Sequence, residues 1–358
     1  MRNPNGRKII FLVAFWLLCA VFIVLYDNAL LRYTHTPLNP TRSFWRDLFL
    51  ALGVAFVGGT AAASFDVLVL SRWFRRRPLG RTILTKAAFW LVCIVVLNSV
   101  AQVLILSSQS GASLFGAEVR RRYVEYLSSP YVIMTTAYWG AVVLIALFVV
   151  QVGEKFGQGV LLSFLMGKYH QPKEEDRIFL FIDLKSSTTY AEALGHMQYS
   201  RLLQDCFYDL TDVVVAHQAV IYQYVGDEVV LTWDLETGLH EANCVRSFFA
   251  FDRALKARHE HYESRYGLVP EFKAGLNAGR VTAAEVGEIK KELAYHGDVL
   301  NTASRIQGKC NEFGTQILIS ESLCHLMHEH PGFNFGLVGS VELRGRQQPV
   351  RVYEAVEA

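Results

Sequence analysis

The sequence predicts two domains of different material: an N-terminal α-helical transmembrane domain of four spans and a C-terminal α+β domain. Three observations carry this. Hydrophobic residues make up 52% of the 358 residues, and the excess is concentrated before residue 153. That stretch holds four apolar runs of near-bilayer length. Beyond it, short β-rich runs alternate with helix-start signals.

The four runs are Ile9–Tyr26, Leu48–Leu70, Ala87–Ser107 and Tyr131–Val152. Most are too long and too free of charge to be buried helices of a soluble domain. The first follows Arg2, Arg7 and Lys8 and lacks a small-x-small cleavage pattern, so it reads as a retained signal anchor. The connection Arg72–Arg81 is the densest basic loop and is expected in the cytoplasm, and the N-terminus agrees. Four spans then return the C-terminus to the cytoplasm, in a bacterial inner membrane. Arg120, Arg121 and Arg122 in the third connection run against this orientation and are outvoted. A net charge of +2 is too small to suggest nucleic acid. Asp66, Asn98 and Gln102 fall inside spans. For Asp66, hydrogen bonding between helices is the preferred reading over a sensing role.

Residues 153–173 join the two halves. Val160–Met166 is apolar over two turns and bounded by Gly and Pro, which suggests a short coupling helix or one packed on its own domain. The expected organisation is therefore 1–152, 153–173 and 174–358. Six cysteines without CxxC spacing read as reduced, mostly buried thiols.

Four elements of the C-terminal half carry chemistry. Phe179–Ile182 is an apolar strand that ends in Asp183, and Ser186, Ser187 and Thr188 are expected to cap the helix that follows. Free N–H groups at such a helix start favour phosphate, and the adjacent carboxylate suits a magnesium ion. Val220–Trp233 reads as a hairpin turning at Gly226-Asp227, with Asp227 able to face Asp183. Gly297-Asp298 opens a helix that places Asn301 and Arg305 four apart on one face. Val341–Tyr353 is a hairpin with a basic tip at Arg344.

In this order, the four elements resemble the catalytic domain of the class III nucleotidyl cyclases, the adenylate and guanylate cyclases, in a membrane-anchored bacterial form. The resemblance runs from Glu174 to the C-terminus. It implies a ferredoxin-like βαββαβ fold and a head-to-tail homodimer in which metal aspartates from one protomer meet an Asn and Arg from the other. Asp183 and Asp227 would hold two Mg2+ or Mn2+ ions, Asn301 would orient the ribose and Arg305 would stabilise the transferring phosphoryl group. Leu184, Ser186, Ser187, Thr188, Gln223, Ala294 and Arg344 would contact the substrate. The implied reaction makes a 3′,5′-cyclic monophosphate and pyrophosphate from a nucleoside triphosphate, ATP ahead of GTP or a pyrimidine nucleotide. Two positions depart from the family: Gln223 replaces an adenine-reading Lys, and Ala294 replaces its Asp or Thr partner. The alternative, a receptor that binds nucleotide without turnover, is disfavoured because the metal and phosphoryl residues are all retained.

Overall fold

Apolar sequence without charges to solvate leaves the helix as the conformation that satisfies every backbone group in lipid, and the first half of the chain is helical throughout its long segments. The computed structural model describes residues 4–33, 43–74, 77–156, 166–289, 291–327, 330–342 and 349–358. The chain divides into two units, Met1–Lys155 and Phe156–Ala358.

The first unit comprises α1 (Pro4–Tyr33), α2 (Phe44–Phe65), α3 (Leu79–Ser110), α4 (Ala117–Leu127) and α5 (Pro130–Phe156). Three helices, over Lys8–Ala29, Phe44–Leu70 and Gly80–Ser110, are long and apolar enough to cross a membrane. A fourth crossing is reached only by counting Ala117–Leu127 and Val132–Phe148 as one span, and these meet at 64°. Pro130 lacks an N–H and disfavours helix in the residue before it, which accounts for the break. The third connection is thus largely a helix. In it Glu118 pairs with Arg121 at 2.9 Å and Arg122 at 2.7 Å.

Small residues let the helices interlock. A Cβ at Gly58 would lie 2.0 Å from Leu97 Cδ2, so α3 closes directly on the α2 backbone. Trp16 of α1 stacks on Trp90 of α3 with ring centroids 5.1 Å apart. Asp66 begins a π-helical turn, Asp66–Leu70, at the end of α2 and is bonded to α3 through Lys86 Nζ at 2.9 Å and Trp90 Nε1 at 3.0 Å. Lys86 also donates to Ser71 Oγ at 2.9 Å. Asp66 therefore does what the sequence suggests, bonding between helices.

The second unit is built on a mixed sheet. Its elements are β1 (Lys173–Leu184), α6 (Ser187–Ala216), β2 (Val220–Val225), β3 (Glu228–Asp234), α7 (Asn243–Ala257), α8 (His259–Tyr266), β4 (Phe272–Val286), β5 (Glu292–His296), α9 (Asp298–Gly308), β6 (Ile317–Ser320), β7 (Phe333–Val341) and β8 (Val350–Glu357). Strand order is β2-β3-β1-β4-β6-β8-β7, with β5 on β4. The β4–β6 pair is parallel and the remaining pairs are antiparallel. Side chains alternate across a strand, so β1 feeds two cores. Ile178, Leu180 and Ile182 pack with Leu202 and Leu210 of α6 and Phe248 of α7. Phe179 and Phe181 pack with Tyr295, Val299 and Ala303. The expected coupling helix falls almost wholly on 157–165, outside the described residues, and the hairpin tip bearing Arg344 also lies outside them. All six cysteines are free thiols.

Candidate active site

The register of β1 fixes the neighbours of Asp183: Glu228 of β3 on one side and Lys273 of β4 on the other. Gly226, at φ +62°, supplies the left-handed turn residue between β2 and β3. That turn carries Asp227 close enough for its charge to act on Asp183. Burial pushes the Asp183 carboxyl up, and Asp227 pushes it further. Lys273 and Gln307 oppose both, through Lys273 Nζ at 3.4 Å and Gln307 Nε2, which donates at 3.0 Å. Glu228 is pushed up to about 7, by burial first and then by Asp183 and Asp227.

The charges of Asp183, Asp227 and Glu228 thus act on one another at one sheet end, an arrangement that a bound cation relieves. Among the described residues no three His, Cys, Asp or Glu side chains converge as a ready-made metal cage. Asp183 and Asp227 are the carboxylates that would hold an ion here. The donor set suits hard Mg2+ or Mn2+, which take oxygen ligands.

The helix start differs from expectation. Ser186 occupies the cap position in left-handed conformation (φ 56°, ψ 32°), and its side chain makes no capping hydrogen bond. A cap residue normally sits in the β region so that its oxygen meets the N2 or N3 amide, and the left-handed turn removes that geometry. Ser186 and Thr188 are exposed, Ser187 is half-buried, and the Leu184 side chain is sealed in the core. Leu184 can therefore meet a nucleotide only through its backbone. Gly195 (φ 72°, ψ 161°) breaks α6 after its first two turns.

On α9, Val299, Thr302, Ala303, Ile306 and Gln307 face inward, while Asn301 and Arg305 lie on the exposed face. Gly275 of β4 makes the close seating possible, because a Cβ there would fall 2.3 Å from Gln307 N and 2.5 Å from Ala303 O. The exposed Gln223 sits beside a register shift in β2, and Ala294 of β5 pairs with Ala284 of β4. Their sequence neighbours Tyr222 and Tyr295 meet edge-on at 5.2 Å over Phe179. The structure thus brings Asp183 and Asp227 together, groups Asn301 with Arg305, and brings β2 and β5 within side-chain reach.

Sequence reasoning missed four residues at this site: Glu228, Lys273, Gln307 and Tyr199. The Tyr199 phenol is pushed up by burial and by the charges of Asp227 and Asp183. Glu228 was visible as the next residue after Asp227. The other three are brought in by sheet register and helix packing, which no local motif encodes.

The catalytic unit has the class III cyclase fold, a mixed sheet with its acidic end at β1 and the β2–β3 turn. Residues 169–354 match the adenylate and guanylate cyclase catalytic domain family, and the chain belongs to that family. It is 35% identical over 206 residues to adenylate cyclase 2 of Rhizobium meliloti (strain 1021), covering 58% of this chain and 57% of that protein. It is 27% identical over 182 residues to the adenylate cyclase of Anabaena cylindrica, covering 49% and 36% respectively. The chain thus matches little more than half the length of one relative and about a third of the other. A bacterial light-regulated adenylyl cyclase structure shares the fold, with a TM-score of 0.52 at 17% identity over 64% of this chain and 66% of that one.

Proposed function

We propose that this chain is a membrane-bound nucleotidyl cyclase, acting as a homodimer, that converts ATP to 3′,5′-cyclic AMP and pyrophosphate for intracellular signalling. One observation carries the reading. Asp183 and Asp227 adjoin at one sheet end, while Asn301 and Arg305 lie on the outward face of α9, where a second protomer can use them. The names of the two curated relatives support ATP as the nucleotide. So does Gln223, whose amide both donates and accepts and therefore suits the adenine edge. Ala294 adds no polar contact, so the preference over GTP is modest.

The finer architecture belongs to the same proposal. The β4-β1-β3-β2 part of the sheet is a ferredoxin-like βαββαβ core. The domains are 1–152, 153–173 and 174–358, and four spans hold both termini on the cytoplasmic side of a bacterial inner membrane.

In the reaction the ribose 3′-oxygen forms a bond to the α-phosphorus, the bond to the pyrophosphate oxygen breaks, and the 3′-hydroxyl proton leaves. Asp183 and Asp227 would hold two Mg2+ or Mn2+ ions, which when bound activate the attacking oxygen and neutralise the triphosphate. Gln307 and Lys273 orient the Asp183 carboxylate. Asn301 fixes the ribose so that its 3′-oxygen approaches in line. The Arg305 guanidinium, with Arg344 on the triphosphate, meets the charge that develops on the phosphoryl oxygens. Backbone N–H groups after Leu184, at Ser186, Ser187 and Thr188, meet phosphate at the start of α6.

The test is incubation of the purified full-length protein with ATP, GTP, CTP or UTP and Mg2+ or Mn2+, followed by mass spectrometry of products. Cyclic AMP with stoichiometric pyrophosphate is expected. Nucleotide binding without pyrophosphate release supports the receptor reading instead.

A further inference from the structure

We propose that the first unit contains a binding site for a neutral amphiphile, a molecule with an apolar body and a hydroxyl or carbonyl head. The site is a cavity of about 330 Å3 lined by residues of α1 to α5, within the size range of small-molecule sites. Half of its lining residues are aliphatic, with Trp16 and Trp139 also among them.

Asn98 and Gln102, one turn apart on α3, both line this cavity. Among the described residues neither carboxamide has a hydrogen-bond partner. Each offers two donors and an acceptor, and a polar group left unmet in an apolar surrounding is costly. Residues four apart on a helix lie side by side, so one oxygen-bearing head can engage both. Asp27 and Asp47 also line the cavity, but both take part in interactions of their own. Gln109 Nε2, for one, donates to Asp47 Oδ2 at 3.4 Å. The two adjacent carboxamides are therefore groups open to a ligand, with Thr135 and Trp139 also on the wall, and a neutral head suits their paired donors and acceptors. This site is independent of the catalytic reading.

The probe is a dodecanol carrying a diazirine next to its hydroxyl, photolysed with the full-length protein in phosphatidylcholine nanodiscs, with labelled peptides read by mass spectrometry. Label is expected on residues 87–107 and 9–26. Two variants test the site. Asn98→Leu with Gln102→Leu keeps the volume and removes the polar groups, while Ala55→Phe fills the cavity from α2. Each should lower labelling there by at least about tenfold. Competition separates the two sources of such a head group. Displacement by diolein in the nanodisc assigns a membrane lipid, whereas displacement by water-soluble 1,2-hexanediol assigns a solute. Labelling that is unchanged in both variants, or confined to outward residues such as Phe11 and Val57, overturns the proposal.

Discussion

Gln307 donates its carboxamide hydrogen to Asp183 at 3.0 Å, a bond between residues 124 positions apart. Gln307 lies on the inner face of α9, whose outer face carries Asn301 and Arg305. In the proposed dimer this helix serves two sites at once, positioning a metal carboxylate in its own protomer and presenting catalytic groups to the other. In such a dimer a shift of α9 on binding nucleotide at one site would be felt at the second.

Removing that bond should loosen Asp183 without removing a ligand. Gln307→Leu keeps the buried volume, and we expect the metal concentration for half-maximal activity to rise by about 10–100-fold, the usual cost of losing a ligand's supporting hydrogen bond. Gln307→Glu adds like charge beside Asp183 and should be worse at low metal. A loss of turnover with an unchanged metal requirement would assign Gln307 a packing role only.

Asp183→Ala and Asp227→Ala should each reduce turnover more than the roughly 10²–10³-fold loss that follows removal of a single stabilising donor, while circular dichroism stays that of the parent. Steady-state kinetics across a magnesium titration checks this. Near-normal activity in either variant would remove that residue from the site.

Mixing inactive Asp227→Ala chains with inactive Arg305→Ala chains should restore activity. Each heterodimer assembles one site with both lesions and one with neither. Failure to recover activity when heterodimers are demonstrably present would place the whole site within a single protomer.

Gly275→Ala tests the seating of α9. The added methyl meets backbone atoms at 2.3–2.6 Å, which side-chain rotation cannot relieve. We expect a loss of about 1–3 kcal/mol or more, read as a lowered denaturation midpoint of the catalytic unit, with activity falling ahead of stability as α9 is displaced.

His217 gives a pH dependence with a fixed sign. Burial holds its imidazole below the usual histidine range, and the Asn243 side chain only partly opposes this. The unfolded chain therefore takes up a proton more readily than the folded one. Stability is fully present above the ordinary histidine value and is lost as pH falls through the lowered one. Thermal unfolding between about pH 8 and about pH 5 should show this decline, and His217→Gln should flatten it.

What was legible in the sequence follows chemistry that is local. The strand ending at Asp183, the turn at Gly226-Asp227 and the helix opened by Gly297 depend on residues within a few positions of one another, and each lies where it was read. The Ser186 cap failed because side-chain type alone does not reveal backbone hand. The bond between Gln307 and Asp183 depends on β4 lying beside β1 and on a missing Cβ at Gly275, relationships that exist only after the sheet has formed. In the first half hydropathy located the helices, and the expected fourth run, Tyr131–Val152, lies within α5, but it did not show the helix Ala117–Leu127 that meets α5 at a 64° bend. It also gave Asp66 as an isolated charge, because the lysine that meets it stands 20 positions later.

That pairing of Asp66 with Lys86 bears on how the chain is made. A nascent α2 reaching the bilayer alone would carry an uncompensated carboxylate, a costly passenger in hydrocarbon. Its counter-ion does not leave the ribosome until α3 is under way. The two helices therefore have reason to enter as a hairpin, with the first held in a polar environment until the second arrives. Lys86→Met would then reveal itself during biogenesis, as full-length chains that fail to integrate, before any defect in the finished enzyme could be measured.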